Sequence, residues 1–219
     1  MRHLRFAGLA IGIGLAVRFY IGILWESRFA FPPDFDRSAF LSAHRYDFDS
    51  VYAAAFYSHL TAGAIALPTA AAAWFHRNRP RHVAFGRTAM FAVVAMLPGG
   101  WIMAGRTVGG PAAAAGFLTL TTLTALTAAI GCWTIRRRHV AAHRRWMIRC
   151  AALLVSPLLL RAAAGLLIVT QWETRETYVA NAWLSWAVPL GLAECSLRWQ
   201  SSSAATLTPT SNRSIPTVP

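Results

Sequence analysis

Residues 136–170 read RRRHVAAHRRWMIRCAALLVSPLLLRAAAGLLIVT. Arginine and histidine crowd residues 136–149, and an apolar run over residues 146–170 follows, whose one charge beyond Arg149 is Arg161. About 20 apolar residues in a helix cross the ~30 Å hydrocarbon core of a bilayer. Arginine-rich segments beside such runs mark the cytoplasmic flank of membrane helices. The pairing decides the solvent: this run belongs in lipid.

The same unit recurs along the chain. Further apolar runs cover residues 6–25, 51–75, 83–104, 112–135 and 178–197. The chain of 219 residues is 56% hydrophobic and only 13% charged, against roughly 45–50% and 25% for soluble domains. All 21 basic residues are arginine and the net charge is +13. A nucleic-acid binder would gather such charge on one solvated face; here the arginines bracket apolar runs. Composition therefore excludes a soluble enzyme domain, a disordered chain and a nucleic-acid-binding protein.

Arginine placement also orients the runs. With the N-terminus inside, the inner segments hold Arg2, Arg5, Arg77, Arg79, Arg81, Arg87, Arg136, Arg137, Arg138, Arg144, Arg145, Arg149, Arg198 and Arg213. The outer segments hold only Arg28, Arg37, Arg45, Arg106 and Arg175. The bias predicts an all-α, polytopic membrane protein of six transmembrane helices with both termini cytoplasmic, multi-pass in a bacterial inner (plasma) membrane. Residues 1–25 read as a first transmembrane helix, a retained signal anchor, since no small-x-small cleavage pattern precedes Phe31. Residues 26–50 form a polar extracytoplasmic connection and residues 51–197 a five-helix core. Residues 198–219, rich in Ser, Thr and Pro, read as a disordered cytoplasmic tail.

Smaller features refine this picture. Pro98-Gly99-Gly100 predicts a kink in the third helix, and Gly109-Gly110-Pro111 a tight turn. Cys132, Cys150 and Cys195 are odd in number and lack CxxC spacing, so they read as small reduced hydrophobes. Residues 81–87 and 138–144 share the pattern R-H-V-A-x-x-R at the hinges of two hairpins. Seven residues in an Arg/Ala-rich chain leave duplication and chance equally open.

Ionisable groups at membrane depth are costly, which makes each a functional candidate. His59 lies about eight residues, or ~12 Å, inside the outer end of the second helix. Either a hydrogen bond to a neighbouring helix or a proton-carrying or axial-ligand role fits it. His82 and His143 start the third and fifth helices at similar depth, and two imidazoles facing a flat ligand would suit a b-type haem. Arg81, Arg87, Arg144 and Arg145 would then reach its propionates; the alternative places both histidines simply in the headgroup layer. His139 and His143 are spaced i, i+4, yet no carboxylate is near and the surrounding arginines repel divalent cations, so no metal site is expected. The same field attracts anionic lipid headgroups.

Arg161 reads as lying near mid-membrane and is expected to meet backbone carbonyls, Asn181 or an anionic ligand. Glu194, the one carboxylate inside an apolar run, lies at the depth of Arg149 and is expected to pair with it. Trp183 and Trp186 could wall a pocket or anchor the interface. Two functions follow as expectations. One is a haem or quinone-like redox group held near the cytoplasmic leaflet by His82 and His143. The other is a non-enzymatic transporter or binding protein for an anionic or lipidic ligand, lined by Arg161, His59 and Glu194. No residue pattern assigns a reaction, a substrate or an oligomeric state.

His59, the block His82-Val83-Ala84-Phe85-Gly86-Arg87, the block His143-Arg144-Arg145-Trp146-Met147-Ile148-Arg149, Arg161, and Trp183-x-x-Trp186 leading to Glu194 together resemble an uncharacterised bacterial membrane family, domain of unknown function 2306. The resemblance covers roughly residues 55–196, and the H-R-R-W-M-I-R block is its most specific part. The family more often reads H-R-x-x-G-R where this chain has His82-Val83. The resemblance implies a multi-helix membrane protein and no established activity.

Overall fold

The computed structural model describes residues 2–76 and 78–206. Its elements are α1 (Arg2–Ser27), α2 (Ala39–Ala43), α3 (Ser50–Phe75), α4 (Arg79–Gly105), α5 (Gly110–Arg136), α6 (Val140–Leu154), α7 (Ser156–Val169) and α8 (Arg175–Thr206). The chain is all-helical, with no strand among the described residues. Among the described residues, three stretches are long and apolar enough to cross a membrane: Arg79–Gly105, Gly110–Arg136 and the joined stretch Val140–Val169. Large apolar side chains face outward along the helices, including Phe91 at 76%, Leu166 at 64% and Leu192 at 68% exposure. Water does not tolerate a surface of that kind; hydrocarbon does.

Local chemistry sets the helix ends. The Asp49 carboxylate accepts the Tyr52 N–H at 2.7 Å and caps α3. Pro80 and Pro111 stand in the first turns of α4 and α5, where a missing N–H costs nothing. Gly110 takes φ +76°, and a Cβ there would meet Arg175 Nη2 at 2.6 Å, so only glycine makes this turn.

Two boundaries differ from the sequence reading. The fifth run is two helices, α6 and α7, broken at Val155-Ser156-Pro157. Proline has no N–H to give and its ring crowds the preceding turn. The break also begins the helical part earlier, at Val140 rather than Trp146. At the other end of the chain, α8 runs past Leu197 to Thr206. Extending a formed helix adds one hydrogen bond per residue, and the Ser201 and Ser202 hydroxyls donate back to the Leu197 and Arg198 carbonyls. The first part of the expected disordered tail is thus helical; residues 207–219, with Arg213, and Arg77 lie outside the described residues.

The helices pack as α3–α4, α4–α5, α5–α6, α7–α8, α5–α8 and α6–α8, with α1 against α7. The central core is made of small side chains, namely Ala66, Ala92, Val93, Ala128 and Cys150 with Leu154. Small residues let helix backbones approach closely, which is how helices gain contact in lipid. The closest approach is at Gly99, where an added Cβ would collide with the Ala55 carbonyl and sit 2.9 Å from His59 Cβ. α4 stays helical through Pro98-Gly99-Gly100, and this triplet is the seat of its contact with α3.

Residues 26–50 fold into an aromatic cap rather than an open polar connection. Phe40 stacks on Phe56 (5.4 Å), His44 on Tyr52 (5.2 Å), and Phe48 meets Tyr52, Phe56 and Tyr57 edge-on. The polar residues stay at the rim, where Arg45 pairs with Asp36. Arg106, just after α4, donates to Asp49 (2.7 Å) and to the Asp47 carbonyl (3.1 Å), tethering the cap. The Tyr52 N–H and then the Arg106 guanidinium hold the Asp49 carboxyl below its usual range. A depressed carboxyl stabilises the fold above its ordinary pKa and loses that contribution as pH falls through the folded value. Acidification below about pH 4 is therefore expected to lower the protection of amides in residues 31–48 relative to their intrinsic exchange rates, and Asp49→Asn to weaken that pH dependence.

Candidate functional site

His82 and His143 hold equivalent places. Each is the fourth residue of its helix, and each Nδ1 lies 2.8 Å from a carbonyl near the end of the preceding helix: Ala73 for His82 and Gly131 for His143. A carbonyl only accepts, so Nδ1 carries the proton and Nε2 is left as an acceptor. The two imidazoles therefore close two helical hairpins, α3–α4 and α5–α6. This corrects the register of the sequence echo, which aligns His82 with His139; His139 instead precedes α6 as its N-cap and makes no side-chain cap bond. Among the described residues no hydrogen bond or ring contact joins His82 directly to His143; each is held by its own hairpin.

His59 is also bound by a backbone carbonyl, its Nδ1 standing 3.0 Å from Met96 O. The ring lies beside Gly100, where it shares space with Thr121. His59 thus bridges α3 to the turn of α4 that precedes Pro98. Among the described residues no group of His, Cys, Asp and Glu could hold a metal ion.

Glu194 and Arg149 meet as their depths imply. The guanidinium Nε and Nη2 engage both carboxylate oxygens, with Nη2–Oε2 at 3.0 Å. The Arg149 guanidinium also stands over the Trp146 ring at 4.7 Å. This two-bond pair joins α6 to α8, and its geometry satisfies both charges.

Arg161 sits elsewhere. It lies eight residues, about 12 Å, from the end of α7 that faces Glu26, the acidic end of the bundle. The charge it feels is Glu26, at the end of α1. Asn181 Nδ2 donates to the Leu160 carbonyl at 2.9 Å. Trp183 donates from Nε1 to the Ala112 carbonyl at 3.0 Å and packs against Gly116, pinning α8 to the start of α5. Trp186 lies beside it at 5.6 Å.

The arginines that remain uncompensated are at the opposite end. Arg87, Arg144 and Arg145 are exposed and have no carboxylate partner among the described residues. Arg144 and Arg145 line a groove of about 490 Å³ between the start of α6 and the end of α8. Val140, Ala141, Ile148 and Leu197 supply its apolar walls and Gln200 its further polar group. The first turn of α6 contains no acidic residue, so the positive end of its dipole adds to the same field.

A groove of this composition accepts an anion with an apolar body. Its α8 wall depends on the helix continuing past Leu197, a continuation the Ser-rich sequence conceals. The sequence signal that could have found the site was the pair Arg144-Arg145 opposite an extended α8. A second polar group, formed by Asp49, Arg106, Tyr52, Thr107 and Tyr178 at the acidic end, also escapes sequence reading, because its members come from three separate segments.

Residues 56–197 match the sequence model of a family described as Predicted membrane protein (DUF2306). No curated protein and no solved structure matches the chain.

Proposed function

Since the chain belongs to this family of predicted membrane proteins, DUF2306, we propose that it is a non-enzymatic binding protein for an anionic, lipid-like ligand at the cytoplasmic face of a bacterial inner membrane. In this reading α1, α3, α4, α5, the α6–α7 pair and α8 are six crossings with both termini inside. The arginine-rich helix ends then lie in the cytoplasmic headgroup layer. The observation that carries the reading is the groove between α6 and α8, which joins two unpaired guanidiniums to apolar walls at that depth. Each basic residue near an anionic surface contributes about 1 kcal/mol. Arg144→Gln with Arg145→Gln should therefore weaken retention of anionic lipid by about tenfold or more, measured by native mass spectrometry of protein released from mixed-lipid nanodiscs. Unchanged retention would refute the reading.

A haem or quinone-like redox group at His82 and His143 is the second reading. It is favoured by one observation: both imidazoles give Nδ1–H to a backbone carbonyl and keep Nε2 free, as metal-ligating histidines do. Protein expressed with added haem would then show a Soret band that disappears in His143→Ala. A colourless preparation ends that reading and leaves the first intact.

A further inference from the structure

We infer that the groove between α6 and α8 is a site for a lipid whose headgroup carries two phosphodiesters; this rests on the anionic-ligand reading above and names its ligand. Arg144 and Arg145 are consecutive, so their side chains leave α6 about 100° apart. Both nevertheless line the same groove. They bring two positive charges to it, and no carboxylate among its lining residues offsets either. One phosphodiester carries a single negative charge and leaves one guanidinium uncompensated, whereas two linked phosphodiesters match both.

The rest of the lining fits the same ligand. No carboxylate stands in the groove to repel it. The Gln200 amide can both donate and accept, which suits a hydroxyl of the bridge between the phosphates. Ile148 and Leu197 offer the acyl chains an apolar path toward the hydrocarbon.

The test compares cardiolipin with phosphatidylglycerol at equal total phosphate, in phosphatidylcholine nanodiscs carrying the full chain, with bound lipid read by native mass spectrometry. Cardiolipin should be retained about tenfold more strongly. Arg144→Gln or Arg145→Gln alone should bring that ratio close to one while leaving some phosphatidylglycerol bound. Ile148→Trp, which fills the groove and spares both arginines, should remove both lipids. Inorganic pyrophosphate should not bind at the concentration where cardiolipin saturates; saturation by pyrophosphate overturns the lipid assignment. Equal retention of the two lipids by the unmodified protein overturns the two-phosphate inference, and so does a ratio that survives both single substitutions. If the lipids bind alike yet the double arginine variant loses both, only this inference falls. If neither exceeds phosphatidylcholine, the reading it rests on falls as well.

Discussion

Glu194→Ala is expected to destabilise the detergent-solubilised protein by about 2 kcal/mol, the scale of charge-assisted hydrogen bonds lost from a half-buried pair. The loss comes less from the attraction removed than from the Arg149 guanidinium left without its two acceptors. The double variant Arg149→Met with Glu194→Leu should therefore recover most of it, because no charge is then stranded. Arg149→Met alone should cost somewhat more than the double, since it strands the carboxylate; both variants lose the contact over Trp146, worth about 0.5–1 kcal/mol. Thermal unfolding followed by helix content measures all three. A double variant no more stable than Glu194→Ala would show that the pair is merely peripheral.

Gly99→Ala should be as damaging, although alanine is the better helix former by about 1 kcal/mol. The new Cβ would collide with the Ala55 carbonyl, which is backbone and cannot swing away, while Ser58 Oγ stands at 3.0 Å. α3 and α4 must separate to admit it. The expected net loss is about 2–3 kcal/mol, the usual cost of overpacking a tight contact. Gly86→Ala is the control, since nothing lies within 4 Å of its Cβ position. That substitution should leave stability unchanged or raise it by a few tenths of a kcal/mol, to about the helix-propensity gain. Similar losses for the two glycines would show that the packing of α3 on α4 is not the cause.

Much of the architecture is legible in the sequence because lipid imposes a coarse rule: long apolar runs must be helices. The Arg149–Glu194 pair is legible for a related reason, since a carboxylate in an apolar run has to find a cation at its own depth. Depth alone does not show Glu26 beside Arg161, because α1 and α7 are far apart in the chain and only their packing brings those ends together. The aromatic cap is illegible for another reason. Phe35, Phe40 and Phe48 are scattered among prolines and aspartates, and only the fold shows that they share one side with Tyr52 and Phe56. The groove is hidden by composition: serines after Trp199 read as a tail, yet α8 continues through them.

Because His82 and His143 each fasten a helix to the one just before it, the two antiparallel pairs are self-contained by the time their second members are made. Biogenesis can then proceed by inserting finished couples into the bilayer and docking them afterwards. A chain truncated after α4 should already protect its turn from protease while still lacking every partner from the second half.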